Sequence, residues 1–177
     1  KVEERTPLYQ YKDLCNLPDD DAQADMYLSA IEILRAKGMR QYEISNYAQP
    51  GRESLHNQVY WRTENYLGVG LGACSWVRPL RWNNQFEMND YIGLVQTGQL
   101  PGQEPEHLTE TEQMEETVFM ALRMNQGLSK QLFSERFAKP AEAVFADALR
   151  RCMEKGWIKV HRSITECFIW TDKPFDK

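Results

Sequence analysis

The sequence predicts a mixed α/β chain whose last part has the element order of a winged-helix domain. In the first hundred residues a helix, a glycine stop and a strand follow one another, which is the repeating unit of α/β folds. Further on, three predicted helices precede two β-rich segments, residues 157–161 and 166–170, which would pair as a hairpin. Taken as a fragment, the same elements form an α+β arrangement.

Composition restricts the class of protein. A chain of 177 residues with 42% hydrophobic and 27% charged side chains fits one core or two small ones. The net charge of −5 disfavours a nucleic-acid partner, because phosphate contacts need a clustered basic surface. The longest apolar runs are far shorter than a bilayer span. No ligand spacing for a zinc ribbon, a ferredoxin motif or a disulfide scaffold links the four cysteines, Cys15, Cys74, Cys152 and Cys167.

The first helix is predicted between an acidic start and a glycine stop. Residues 17–21 end in three aspartates, which are favoured at a helix N-terminus. Apolar residues then recur every three or four positions up to Lys37-Gly38, namely Tyr27, Ala30, Ile31 and Leu34. Residues 39–45 alternate in polarity and predict a short strand directly after this helix.

Three further elements are predicted before residue 100. Residues 55–61 fit one or two helical turns, and residues 88–97 fit a short helix. Residues 66–77 are apolar and spaced by glycines, which predicts a strand. The polar segment Arg81–Asn84 is expected to interrupt that strand.

A link rich in proline and glycine separates two predicted domains, residues 1–100 and 101–177. In the second domain a capping box, Thr109–Glu112, begins the first helix, Gly127–Ser129 separates it from the next, and Pro140 begins a third. This domain has 11 Lys/Arg against 13 Asp/Glu, so it lacks the basic surface that DNA binding requires. The predicted apolar positions of its helices are Met114, Val118, Ala121, Leu122, Leu132, Phe133, Phe145, Ala148, Leu149 and Cys152.

His56 has the most informative surroundings of the three histidines. At positions i and i+4, His56 and Tyr60 share a helix face, and Trp61 adds a large planar surface. This pattern suits an imidazole that binds a metal within a flat conjugated ring. It equally suits a hydrogen-bonded histidine at a packed aromatic corner, and the local pattern leaves both readings open.

The glycine-rich stretch carries a weaker signal. Gly68, Gly70 and Gly72 do not match the dinucleotide fingerprint, because the third glycine is one residue early and no helix start follows. They predict a strand without side chains at these positions, where another backbone or a flat ligand comes close. Cys74, next to them, is a candidate to face a pocket.

A longer set of motifs resembles one known family. The shared stretches are Gln41-Tyr-Glu-Ile-Ser-Asn-Tyr-Ala48, Pro50-Gly51, Glu53-Ser54, His56-Asn57, Tyr60-Trp61 and Tyr66-Leu-Gly-Val-Gly-Leu-Gly-Ala73. Together they resemble the oxygen-independent coproporphyrinogen III oxidase-like radical S-adenosylmethionine proteins, the HemN/HemW family. The resemblance implies the last βα elements of a radical SAM partial TIM barrel, followed from about residue 101 by a winged-helix-like HemN C-terminal domain.

The resemblance also implies a cargo, cofactors and site residues. The pattern His-Asn-x-x-Tyr-Trp resembles that of the HemW haem-chaperone branch, which implies a cytoplasmic protein that holds haem or a porphyrin and passes haem to an acceptor protein. His56 is implied as the haem iron ligand. The implied contacts are His56, Asn57, Tyr60 and Trp61 for haem or porphyrin, and Ala48 and Cys74 for S-adenosylmethionine.

One family motif is absent from this sequence. Family members carry Cys-x-x-x-Cys-x-x-Cys, whose thiolates hold a [4Fe–4S] cluster that binds S-adenosylmethionine, and the cysteines here have no such spacing. We therefore expect a C-terminal part of a longer protein that performs no radical chemistry alone. Two alternatives stay open: a true coproporphyrinogen III dehydrogenase, which oxidatively decarboxylates propionates, and a winged-helix interaction module without catalysis.

Overall fold

A computed structural model of the protein describes residues 2–162 and 166–170. In chain order the helices are α1 (Pro7–Gln10), a 3-10 helix (Lys12–Leu14), α2 (Asp20–Ala36), α3 (Leu55–Trp61), α4 (Met88–Gln96), α5 (Glu110–Ala121), α6 (Lys130–Phe137), α7 (Ala141–Val144) and α8 (Ala146–Glu154). The strands are β1 (Arg40–Gln41), β2 (Tyr47–Ala48), β3 (Cys74–Val77), β4 (Leu80–Asn83), β5 (Glu106–His107), β6 (Leu128–Ser129), β7 (Ile158–Arg162) and β8 (Glu166–Trp170). They form three antiparallel sheets, ordered β1-β2, β3-β4-β5 and β6-β8-β7. The predicted mixture of helices and strands is confirmed.

Helix α2 begins and ends where the sequence predicted. The Asp19 carboxylate accepts a hydrogen bond from the backbone N–H of Ala22 at 2.8 Å, and Gly38 follows the helix with a φ of +80°. The strand predicted over residues 39–45 is shorter than expected: β1 pairs antiparallel with β2, and beyond β1 only Glu43 pairs, in an isolated bridge with Met124. The predicted αβ unit therefore ends in a small hairpin.

Two expectations for residues 66–84 were wrong. Gly70 and Gly72 have φ angles of +109° and +63°, so the chain bends there and only Cys74–Val77 form a strand. The segment Arg81–Asn84 does not interrupt the strand; most of it belongs to β4, which pairs with β3 after a turn at Arg78–Pro79. A polar sequence forms this strand because its backbone groups are paired on both sides, with β3 and with β5.

The C-terminal helices and their sheet enclose the main apolar core. Its buried residues are Met114, Ala121, Leu128, Phe133, Phe137, Ala141, Leu149, Ile158 and Phe168. The capping box at Thr109 and Glu112 is present as predicted. The third predicted helix is divided at Phe145 into α7 and α8, and two predicted core positions, Leu132 and Ala148, are exposed.

The expected hairpin is formed by β7 and β8, and β6 adds a strand that the sequence did not predict. Arg162 is the last residue of β7, and the expected turn after it and the tail after Trp170 lie outside the described residues. No helix in the described part of the chain is long and apolar enough to span a membrane.

Hydrogen bonds cross the predicted domain boundary. Strand β5 pairs with β4, which places residues from both sides of the boundary in one sheet. The backbone N–H of Ile44 donates to the carbonyl of Arg123, and that of Asn125 donates to the carbonyl of Tyr42. The end of α5 is therefore joined to the segment that precedes α3. The division at residue 100 stays a prediction.

Candidate functional site

Helix α3, which carries the His-Asn-x-x-Tyr-Trp motif, is fixed at its N-terminus by a side-chain cap. Ser54 has an extended backbone, and its hydroxyl accepts a hydrogen bond from the backbone N–H of Asn57 at 3.3 Å. The Asn57 side chain donates toward the hydroxyl of Tyr42 at 3.5 Å, so this residue faces the β1-β2 segment. Asn57 therefore takes part in anchoring the helix, and its contact with haem stays a prediction.

The C-terminus of α3 is held by two arginines from distant parts of the chain. Thr63 has a left-handed backbone, with a φ of 48°, and is buried. Arg78 donates to the Thr63 carbonyl at 2.9 Å, while Arg136 donates to the Arg62 carbonyl at 3.1 Å and to the Thr63 hydroxyl at 2.6 Å. Carbonyls at a helix C-terminus carry partial negative charge, so guanidinium groups stabilise them.

The two guanidinium groups are partly withdrawn from water. Burial lowers the pKa of both Arg78 and Arg136, and the charge of Arg78 lowers the pKa of Arg136 further. The hydroxyls of Thr63 and Thr117 lie 3.1 Å apart beside Arg136 and join α3 to α5. Helix α3 is thus attached at its end to three other elements: the β3-β4 turn, α5 and α6.

His56 and Tyr60 share one face of α3, as their spacing predicted. His56 is exposed, and its Nε2 lies 3.0 Å from the Tyr60 hydroxyl, with the two rings edge to face at a centroid distance of 4.9 Å. In the neutral tautomer protonated on Nδ1, the phenol donates this hydrogen bond to Nε2. The structure therefore places an imidazole and a phenol hydroxyl together at an open surface.

A third aromatic residue, Tyr66, extends this pair towards β3. The rings of Tyr60 and Tyr66 meet edge to face at 4.6 Å, and the Tyr66 hydroxyl donates to Cys74 Sγ at 3.7 Å. Burial raises the pKa of Tyr66, and the contact with Cys74 raises it further, so the phenol stays protonated at neutral pH. Tyr66 was not predicted as a site residue, although its aromatic ring, close to the motif in the sequence, was an available signal.

Trp61 lies on a different side of α3. Successive helical residues differ by about 100°, which separates Trp61 from His56 by about 140° around the axis. Its ring is covered by Arg123, whose Cζ lies 4.5 Å from the ring centroid. An Arg123 Nη atom is 4.0 Å from the carboxylate of Glu43, which is 0% exposed. Trp61 therefore packs α3 onto the protein, and its predicted pairing with His56 on one surface is not formed.

The two residues assigned to S-adenosylmethionine lie in separate sheets. Ala48 is in β2 and Cys74 in β3, and both are half-buried. Among the described residues, no group of three or more histidine, cysteine, aspartate or glutamate side chains could hold a metal ion. The described free thiols, Cys15, Cys74 and Cys152, therefore do not fit a [4Fe–4S] cluster, and we assign no step through one.

A single exposed imidazole beside aromatic rings does fit a haem iron, because neutral imidazole is a common axial ligand. His56 itself is exposed at the surface. An open depression of about 360 Å³ lies near α3, but it is lined by other residues, among them Tyr42, Gln58, Met124 and Asn125. The His56 face is therefore suited to a planar ligand that lies against the surface.

Comparison with known proteins gives consistent relatives. The HemN C-terminal domain family matches residues 108–167. The Heme chaperone HemW of Bacillus subtilis (strain 168) is 36% identical over 159 residues, which are 89% of this chain and 42% of that protein. The Heme chaperone HemW of Lactococcus lactis subsp. lactis (strain IL1403) is 30% identical over 167 residues, 94% of this chain and 43% of that protein. The chain thus spans about two fifths of the length of these relatives.

A solved structure shares the fold. The structure described as "Coproporphyrinogen III oxidase (HemN) from Escherichia coli is a Radical SAM enzyme" has a TM-score of 0.65, covers 88% of this chain and 39% of that chain, and is 19% identical in sequence. At this identity the likeness concerns the fold, and it confirms the fold that the resemblance implied. The HemN C-terminal domain match and the HemW relatives support the HemN/HemW family for this chain.

Proposed function

We propose that this chain supplies the haem-contacting part of a HemW-like protein that holds haem and delivers it to an acceptor haemoprotein in the cytoplasm. The observation that carries the proposal is the exposed imidazole of His56 on a helix fixed at both ends. Relatives named Heme chaperone HemW support the same function. His56 would bind the haem iron, and the ring of Tyr60 would border the porphyrin.

An open site fits a cargo better than a permanent cofactor. A haem that must pass to another protein has to be reached by that protein, and a surface site leaves one face of the porphyrin accessible. Arg78, Arg136 and Ser54 hold α3 in place, so the imidazole is presented from a rigid support. The conformational entropy of the site is then lost during folding, before haem binds, so binding does not have to order the site.

The radical SAM part of the function belongs to the longer relatives. We propose that a [4Fe–4S] cluster and S-adenosylmethionine are bound mainly outside this chain, since its described cysteines do not fit the cluster. When bound, those groups would supply radical chemistry. The proposed role of this chain is to bind and orient the haem.

The proposal is tested by titrating ferric haem into the 177-residue chain and following the Soret band. His56→Ala is expected to weaken binding about tenfold or more, equivalent to ~1.4 kcal/mol, because the axial ligand is lost. His107→Ala is the matched control, since His107 is also exposed but lies in β5. Equal affinities for the two variants would refute the role of His56.

A further inference from the structure

We propose that the Tyr60 hydroxyl is a latch that competes with haem iron for the Nε2 atom of His56. The inference rests on the proposed function and specifies how that site is regulated. In the structure Nε2 is already engaged, 3.0 Å from the Tyr60 hydroxyl. A nitrogen lone pair that accepts a hydrogen bond from a phenol is not available to a metal, so the hydrogen bond must break before the bond to iron forms.

Nε2 is the nitrogen that a porphyrin can reach. Nδ1 is adjacent to the ring carbon that bears the Cβ atom, so a ligand as wide as haem approaching Nδ1 collides with the histidine's own side chain and the helix backbone. Nε2 is at the far edge of the ring, and His56 is exposed on the first turn of α3. The hydrogen bond to Tyr60 therefore occupies the productive ligand atom.

The structure also indicates which of the two side chains moves. Tyr60 is half-buried, and its ring packs edge to face on Tyr66 at 4.6 Å. Tyr66 is itself fixed, because its backbone N–H donates to the Trp76 carbonyl at 2.7 Å and its carbonyl accepts from the Trp76 N–H at 2.9 Å. His56 is the exposed partner. Binding therefore turns the His56 imidazole away from a stationary Tyr60.

This arrangement lowers the affinity for haem and favours its release. The hydrogen bond is lost when iron binds and is regained when haem leaves, so its free energy opposes binding. A single hydrogen bond between neutral groups at a partly exposed site corresponds to about a two- to tenfold change in an equilibrium constant. A protein that delivers haem benefits from this change, because the acceptor then removes the ligand more readily.

The test is Tyr60→Phe, which keeps the ring and its contact with Tyr66 but removes the hydroxyl. Ferric haem is expected to bind this variant about two- to tenfold more tightly than the wild type in a Soret titration, and to transfer correspondingly more slowly to apomyoglobin. Tyr11→Phe is the matched control, since Tyr11 is 57% exposed and lies outside the site. Its haem affinity should equal that of the wild type.

A double variant, His56→Ala with Tyr60→Phe, separates the latch from the proposed function. If the latch operates, the gain from Tyr60→Phe disappears when His56 is absent. Unchanged or weaker haem binding by Tyr60→Phe, alongside a large loss in His56→Ala, would overturn the latch and leave the haem role of His56 intact. No loss in His56→Ala would overturn the proposed function itself. Urea unfolding of each variant checks that the fold is retained.

Discussion

Replacing Arg136 by alanine is expected to loosen the C-terminus of α3 and destabilise the whole fold. Arg136 joins α6 to α3 through hydrogen bonds of 3.1 Å to the Arg62 carbonyl and 2.6 Å to the Thr63 hydroxyl. Each hydrogen bond from a charged donor contributes about 1.5–3 kcal/mol when its acceptor is shielded from water. The substitution removes both bonds, a longer one of 3.5 Å to the Thr117 hydroxyl, and the apolar stem of the side chain.

Two effects reduce that loss. The Arg62 carbonyl belongs to an exposed residue and can bond to water, and the Thr63 hydroxyl keeps its partner, Thr117, at 3.1 Å. The substitution also relieves repulsion between Arg136 and Arg78, which lowers the pKa of Arg136 in the folded protein. The net decrease in the free energy of unfolding is therefore expected to be about 2–3 kcal/mol.

Urea denaturation followed by tryptophan fluorescence measures this change. With a slope of about 2 kcal/mol per molar urea, the midpoint should fall by about 1–1.5 M. Arg150→Ala is the matched control, because among the described residues Arg150 forms ion pairs with Asp147 and Glu154 of its own helix, α8, and its side chain is 60% exposed. That variant should lose less than about 0.5 kcal/mol. If the two variants lose equal stability, the account of the α3 C-terminus is wrong.

Two further predictions concern the C-terminal part. Gly127→Ala places a Cβ 2.0 Å from the Phe168 carbonyl oxygen at a φ of +70°, whereas Gly98→Ala meets nothing within 4 Å at a φ of +72°. Gly127→Ala should therefore lower the free energy of unfolding by about 1–3 kcal/mol more than Gly98→Ala, as measured by thermal unfolding. Equal decreases for the two variants would contradict the packing of β6 on β8. The second prediction concerns Glu112, whose pKa is lowered by hydrogen bonds from the Thr109 hydroxyl and N–H. A carboxyl whose pKa is lowered by folding stabilises the fold at pH values above its ordinary pKa, and this contribution is lost as the pH falls through the lowered pKa. The difference in the free energy of unfolding between wild type and Thr109→Ala should therefore shrink on acidification. A gap that stays constant with pH in urea titrations would exclude this contribution.

The elements that the sequence predicted correctly depend on signals within a few residues. The Asp19 cap of α2 and the capping box of Thr109 and Glu112 are such signals, and both are present. Strand β4 was missed because its polar sequence is stabilised by pairing with β3 and β5. Strand β6 was missed because two residues form a strand only against β8, about forty positions later. Partners that distant leave no local pattern.

In the candidate site too, features set by nearby residues were predictable and features set by distant residues were not. The shared face of His56 and Tyr60 follows from a spacing of four residues and is confirmed. The separation of Trp61 from His56 follows from helical geometry, but its packing was not predictable, because the ring is covered by Arg123, which reaches α3 from the end of α5. Likewise, no local feature of Thr63 indicates that Arg136, 73 positions later, would hold it.

The central claim is that the His56 imidazole binds haem iron, and its most direct test is electron–nuclear spectroscopy of ferric haem bound to the chain with ¹⁵N-labelled histidine. We expect a coupling from one axial imidazole nitrogen in the wild type and in His107→Ala, and its loss in His56→Ala. An unchanged ¹⁵N coupling in His56→Ala, or no histidine coupling in the wild type, would contradict the claim.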